Sequence, residues 1–345
     1  MRPDSPRIDT SLPVVPAYGA RVIRTRVYRQ GSCTDENFDP ERISDYLEED
    51  GTVVWMDVDH PSAKEFALIA DEFNLNPLAV EDALHERQRP KLDHYDDHVF
   101  ISLYDVHLDH DTGELVTGEL AVFASERYLI TVRKSGQLDP EPVVQRWDDN
   151  ADLAKHGVGF LLWGLVDVVV DSHFDTVQSL DTEIEELEDL LFDNSPRGPE
   201  VQRRSFELRK SLVMLRRVVL PTREVLNALM RRESVFVDDV LMPYYQDVYD
   251  HVLRAADWTD SLRDLVSTIL ETNLTIQGNR MNEIMKAVTS WAAIAAVPTI
   301  ITGYYGMNVR IFPDAGTLFG GVVALVLMVA GVAALYLTFK RRGWL

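Results

Sequence analysis

The stretch Leu318–Phe339 (LFGGVVALVLMVAGVAALYLTF) runs for 22 residues without a charge. At about 1.5 Å per residue, a helix of that length crosses a hydrocarbon core of roughly 30 Å. A chain carrying such a segment is expected to be a membrane protein. A second uncharged stretch, Ala287–Tyr305, is 19 residues long and contains Thr289, Ser290, Pro298, Thr299 and Thr302. Polar residues in a spanning helix face protein or water, so this second segment is the one expected to line something.

Charge divides the chain at the same place. From Ile284 onward there is one acid, Asp314, against Lys286, Arg310, Lys340, Arg341 and Arg342. The first 283 residues hold 55 of the 56 acids and 29 of the 34 bases, a net of −26. A soluble part this acidic suits cations and argues against nucleic acid, whose phosphates need clustered Lys and Arg. Arg280 and Lys286 precede the first span, and Lys340–Arg342 follow the second. The positive-inside rule then puts both termini in the cytoplasm. Cys33 is the sole cysteine, so no intrachain disulfide forms. No signal peptide is read in Met1–Pro16, which is Pro-rich and lacks an apolar run. There is no Walker loop, no Cys-x-x-Cys and nothing that specifies a Ser-His-Asp arrangement, so neither an enzymatic activity nor a catalytic residue is expected.

The soluble part reads as α+β followed by long helices. Strands are expected at Arg21–Val27, Thr52–Val58, His98–His107, Glu119–Ala124 and Tyr128–Arg133, from their β-branched and aromatic content. Helices are expected at Ser62–Phe73, Pro77–Leu84 and Pro140–His156. Helical spacing then runs through Phe160–Asn194, a turn at Ser195–Pro199, and Val201–Arg232 with a kink at Pro221. Near-heptad positions Val248, Val252, Ala255, Leu262, Leu265 and Ile269 predict one helix from about Tyr244 to Tyr305, roughly 93 Å long. His94 and His98 would form a zinc pair only on a helix, and the stretch instead leads into a strand. The acid run Glu183–Asp189 is expected to be a solvated face.

Asn282, Met285, Thr289, Ala292, Ala296, Thr299 and Gly303 alternate steps of three and four, so they share one stripe of the first span. Small and hydroxyl side chains on one stripe permit close packing or a wet pore. The span ends in Tyr305-Gly306-Met307-Asn308, with a short loop, a second span and a basic tail behind it. This resembles the CorA family of magnesium transporters, whose hallmark is Gly-Met-Asn at the outer end of the first of two C-terminal spans. The likeness extends through Asn282–Lys286, Tyr245–His251, Val80-Glu81-Asp82 and Gln88-Arg89-Pro90-Lys91.

The resemblance implies a funnel-shaped homopentamer in the plasma (inner) membrane, conducting hydrated Mg²⁺ inward, with Co²⁺ or Ni²⁺ as further candidates. Its organisation would be a disordered tail (1–17), a cytoplasmic α/β domain (18–158), long helices and stalk (159–283), a pore-lining span (284–305), the motif loop (306–317), a second span (318–339) facing lipid, and a basic tail (340–345). Gly306, Met307 and Asn308 would form the selectivity filter. Asn282, Met285, Val288, Thr289, Ala292, Ala296, Thr299 and Gly303 would line the pore, with Met285 and Val288 as a hydrophobic gate. Mg²⁺ dehydrates reluctantly, so a ring of Asn308 amide oxygens suits an ion that keeps its water shell. Regulatory Mg²⁺ would bind between subunits at Asp82 and Asp247, with Glu81 and Asp171 as second-site acids. The loop departs from the family in carrying Arg310, offset only by Asp314, where relatives have acids. The alternative is a transporter of another divalent metal (Zn²⁺, Co²⁺ or Ni²⁺), of the related ZntB type, whose members tend to replace the methionine that stands here as Met307.

Overall fold

A computed structural model of the chain describes residues 23–85, 88–109, 112–134, 138–192, 198–231, 235–307 and 318–345. Two compact units divide it: Met1–Leu190 with Arg203–Val266, and Leu191–Gln202 with Ser267–Leu345. Seven strands form one mixed sheet in the first unit. They are β1 (Ile23–Arg29), β2 (Ser32–Glu36), β3 (Thr52–Asp59), β4 (Lys91–His94), β5 (Val99–Leu108), β6 (Leu115–Ala124) and β7 (Tyr128–Arg133), in spatial order β2-β1-β3-β7-β6-β5-β4. β3 and β7 are parallel; the other neighbours are antiparallel. The helices are α1 (Ile43–Glu48), α2 (Ala63–Glu72), α3 (Pro77–Leu84), α4 (Glu141–Asp149), α5 (Val158–Phe192), α6 (Gly198–Leu229), α7 (Met242–Tyr305) and α8 (Leu318–Arg341).

Local sequence explains where the short helices begin. Ser62 and Glu65 close a capping box on α2, and Asn76 caps α3 with Pro77 at its first position. Both faces of the sheet are covered, which is why β3 and β7 read as near-continuous apolar runs. On one face Phe66 packs on Phe123 and Phe73 on Tyr128. On the other, Trp147 of α4 sets its ring edge-on to Trp55 at 4.8 Å and donates its indole N–H to Leu161 O of α5 at 3.0 Å.

β4 is too short to cover its neighbour, pairing only with Val99–Ser102. Side chains of α5 serve the rest of that edge. Ser172 Oγ accepts from Val106 N at 3.2 Å, Thr176 Oγ1 donates to Val106 O at 2.8 Å, and His173 Nε2–H donates to Tyr104 O at 2.7 Å. Backbone groups that a longer strand would satisfy are thus bonded by a helix, and the edge is closed to other chains.

Several expectations need correction. The span Pro140–His156 is not one helix: α4 ends at Asp149, and Ala151–His156 is a 3-10 segment. Gly198 and Pro199, expected in a turn, already belong to α6, while 193–197 lie outside the described residues. α6 continues through Pro221 to Leu229. The tail 1–17 and the motif loop 308–317 also lie outside the described residues. His94 ends β4 and His98 precedes β5, so the two do not share a helix face.

α7 is one unbroken helix of 64 residues. Its buried seam is Tyr245, Val248, Val252, Ala255, Thr259, Leu262, Val266, Ile269 and Asn273, with steps alternating three and four. The seam member is Val266 rather than the expected Leu265, which is only partly buried. Thr259 fits the seam because its hydroxyl bonds back to Ala255 O at 2.6 Å. In the second unit Asn273 Nδ2 donates to Gly198 O at 3.1 Å. There α8 lies against α7 so closely that a Cβ at Gly331 would sit 2.8 Å from Val297 Cγ1. Both α7 and α8 are long and apolar enough to cross a membrane.

Candidate cation sites

In the first unit α5 and α7 bring together acids that sequence spacing leaves on separate elements. Asp167, Asp171 and His251 place one ligand atom each within 4.8 Å of one another, the one such group among the described residues. Asp167 and Asp171 are four apart on α5, so they share a face. Arg146 of α4 lies across both, bonded to Asp167 Oδ2 and to Asp171 Oδ2, the latter at 2.8 Å. Burial pushes the Asp167 carboxyl up to about 6; Arg146 works against this, while Asp171 and Asp247 add to it. Two carboxylates and an imidazole are competent ligands for a divalent cation, which would have to share them with the guanidinium.

Of the four acids expected to sense cations, Asp171 is therefore in this group and Asp247 is its electrostatic neighbour. Asp82 and Glu81 are elsewhere, on α3. Asp82 is held by Lys91, with Nζ 2.6 Å from Oδ2, and Lys91 reaches Asp93 at 2.7 Å. Behind α3, the Lys134 ammonium donates to Asp82 O at 2.7 Å, His85 O at 2.8 Å and Glu119 Oε1 at 2.6 Å. Sequence reasoning missed Asp167, His251, Arg146 and Lys91 as participants. A signal for two of them existed: Asp167–Asp171 and Asp247–His251 are both four-residue pairs on helices.

The stripe of the first span is entirely exposed in the single chain: Asn282, Met285, Thr289, Ala292, Ala296, Thr299 and Gly303 all face away from α8. Val288 is exposed as well. The buried positions of the same helix, Ser290 and Ile294, lie on a different face. Ser290 bonds Lys286 O at 2.7 Å and Thr299 bonds Ala295 O at 3.1 Å, each satisfying its hydroxyl within the helix. α7 ends where Gly306 N bonds Thr302 O at 2.8 Å and Met307 N bonds Tyr304 O. A Cβ at Gly306 would press to 3.0 Å on Thr302 O, so this helix end is tight for any other residue. Gly306 and Met307 stand exposed beyond α7, and Asn308 lies outside the described residues.

Comparison with known proteins gives consistent results. The cobalt/magnesium transport protein CorA of Thermotoga maritima is 31% identical over 278 residues, covering 80% of this chain and 79% of that protein. The zinc transport protein ZntB of Yersinia pseudotuberculosis is 24% identical over 296 residues, covering 84% and 88%. The solved CorA magnesium transporter of Methanocaldococcus jannaschii shares the fold with a TM-score of 0.75 at 24% identity, over 94% of this chain and 99% of that one. Residues 50–341 match the family described as CorA-like Mg²⁺ transporter protein. With that match covering most of its length, the chain belongs to the CorA-like family of divalent metal ion transporters.

Proposed function

We propose that the chain is a Mg²⁺ channel of the plasma (inner) membrane, working as a funnel-shaped homopentamer with both termini in the cytoplasm. The observation that carries this reading is the exposed stripe from Asn282 to Gly303 on a helix apolar enough to span a membrane. Lipid gains nothing from Asn282, Thr289, Thr299 and bare glycine, whereas copies of the same stripe around an axis make a narrow, polar-spotted conduit. Met285 and Val288 would close that conduit when apposed, since an apolar constriction excludes water. Gly306, Met307 and Asn308 would meet the incoming ion, Asn308 through the water shell. No acid lies in the span, which favours passage of a hydrated ion over chelation.

Cytoplasmic Mg²⁺ would hold the closed form by bridging Asp82 of one subunit to Asp247 of the next, with Glu81 and Asp171 beside them. Carboxylates facing each other across an interface repel until a cation neutralises them. The ion acts as a switch only by binding the closed form better. Transport of Zn²⁺, Co²⁺ or Ni²⁺ is the second reading, favoured by the likeness to a zinc transporter; Met307 in the motif weighs toward Mg²⁺.

The test is Mg²⁺ influx into liposomes holding the purified protein, followed with an indicator dye. Asn308→Ala is expected to lose influx. Asp247→Ala is expected to keep it while losing inhibition by internal Mg²⁺. A parent that admits Zn²⁺ but no Mg²⁺, even with none inside, would transfer the assignment to zinc.

A further inference from the structure

Asp82 is expected to bind the regulatory cation, yet its carboxylate is already occupied. Lys91 Nζ is 2.6 Å from Asp82 Oδ2 and 2.7 Å from Asp93 Oδ2, bridging the two acids in the position a small cation would take. The three side chains are only partly exposed, at 24% for Lys91, 25% for Asp82 and 40% for Asp93. Lys91 reaches this place by laying its stem along the sheet, with Nζ 5.6 Å from the centre of the Phe100 ring. Burial works against its charge, but the bonds to Asp82 and Asp93 outweigh burial and hold it above the ordinary lysine range. Beside it is a recess of about 480 Å³, lined by Leu78, Glu81, Asp82, Lys91, Asp93, His94 and Tyr95. There is room there for a hydrated ion next to the ammonium.

The backbone of this site is fixed independently of Lys91. Lys134 ties the C-terminal end of α3 to Glu119 on the sheet by three bonds. What can change at Asp82 is therefore the partner of its carboxylate rather than the position of the helix. Lys91 has an alternative place for its charge, because Asp93 keeps it while Asp82 is released.

We propose that Lys91 is a built-in competitor for the cation at Asp82 and sets the internal Mg²⁺ concentration at which the transporter closes. It rests on the assignment of Asp82 as a cation-sensing acid made above. A divalent ion must displace the ammonium from Asp82 before it can bind, so the measured affinity is the intrinsic one lowered by the strength of the Lys91–Asp82 pair. A pair about a quarter exposed corresponds to about a two- to fivefold change in a binding constant. Removing the ammonium also leaves Asp82, Asp93 and Glu81 less neutralised, which adds attraction for a cation in the same direction.

The experiment measures the internal Mg²⁺ that halves influx in liposomes for the full-length parent, Lys91→Met, Lys91→Arg, Asp82→Asn and the double variant Lys91→Met/Asp82→Asn. Methionine keeps the apolar stem over Phe100 without the charge. Competition predicts that Lys91→Met lowers the half-inhibiting concentration about two- to fivefold and that Lys91→Arg stays near the parent. It also predicts that Lys91→Met changes nothing once Asp82 is Asn. A rise in the half-inhibiting concentration for Lys91→Met would overturn the proposal, because it would make Lys91 a support for the sensor rather than its rival. An equal effect of Lys91→Met with and without Asp82 would overturn it too. If Asp82→Asn alone leaves inhibition intact, the failure lies in the sensor assignment, and the two are thereby distinguished. Half-protection of the protein from limited proteolysis by Mg²⁺ supplies the same constants without transport, and reads them even where a variant conducts poorly.

Discussion

His173 shows how a single side chain can tie fold and solution conditions together. It is fully buried on α5, donates Nε2–H to Tyr104 O and finds no partner for Nδ1 among the described residues. Burial pushes its pKa down to about 4, with the bond to Tyr104 acting in the opposite direction. An unfolded histidine takes up its proton near about 6.5. Between those values the unfolded chain binds more protons than the folded one, so the contribution of His173 to stability is present at neutral pH and is lost as pH falls from about 6.5 to about 4. The full loss is on the order of 3 kcal/mol. Thermal unfolding of the detergent-solubilised protein between pH 7 and pH 5 tests this against His173→Gln. That substitution keeps an amide donor for Tyr104 O and removes the titration. The parent is expected to lose more of its Tm over that range than the variant, and parallel curves would show that His173 carries no such term.

At the level of elements, the contact between α7 and α8 is set by the absence of a side chain at Gly331. A methyl group there would approach Val297 Cγ1 at 2.8 Å, whereas one at Gly321 would meet nothing within 4 Å among the described residues. Gly331→Ala is therefore expected to destabilise by about 1–3 kcal/mol, the range for overpacking a tight contact. Gly321→Ala is expected to be near neutral. Val297→Ala should restore much of the loss in the double variant, because it removes the atom that the new methyl meets. Tm measurements of the four proteins check all three, and an additive double variant would count against the contact. These long helices were legible in the sequence because period 3.6 repeats over dozens of residues. β2, α1 and β4 were not, because they are 5, 6 and 4 residues long and owe their conformation to pairing or packing with distant neighbours. Apolar spacing alone points to Leu265 rather than Val266 in the seam of α7, because Thr259 and Asn273 occupy seam positions as polar residues with bonds of their own. The candidate sites divide in the same way. Asp171 and Asp82 follow from a resemblance in sequence; Asp167 and His251 leave only the trace of a four-residue spacing to Asp171 and Asp247, and what joins α5 to α7 there, like the contact of Lys91 with Asp82, arises between elements.

For the whole molecule the governing fact is that the described residues of one chain leave the polar stripe of its first span uncovered. Met285 and Val288 are 59% and 63% exposed, and Thr289, Thr299 and Gly303 lie on the exposed surface with them. α8 cannot cover this stripe, because it already packs against the face that carries Ser290, Ile294 and Val297. The remaining partners are lipid or further copies of the chain. Hydroxyls bonded within their own helix are tolerable to lipid, but Asn282 has a full amide to satisfy, and a stripe of small residues invites close approach of another helix. Five copies around an axis would bring five Thr299 side chains face to face. Native mass spectrometry of the detergent-solubilised protein is expected to give a mass five times that of the chain. In a Cys33→Ser background, Thr299→Cys is expected to form disulfide-linked dimers under mild oxidation, since a stripe position that faced a shared axis would have neighbours of its own kind. Introducing cysteine instead at Val326, on the exposed surface of α8, should yield far fewer, because the second spans would stand apart in an outer ring. A monomeric mass, or crosslinking that favours Val326 over Thr299, would put the stripe in lipid and take the pore away from α7.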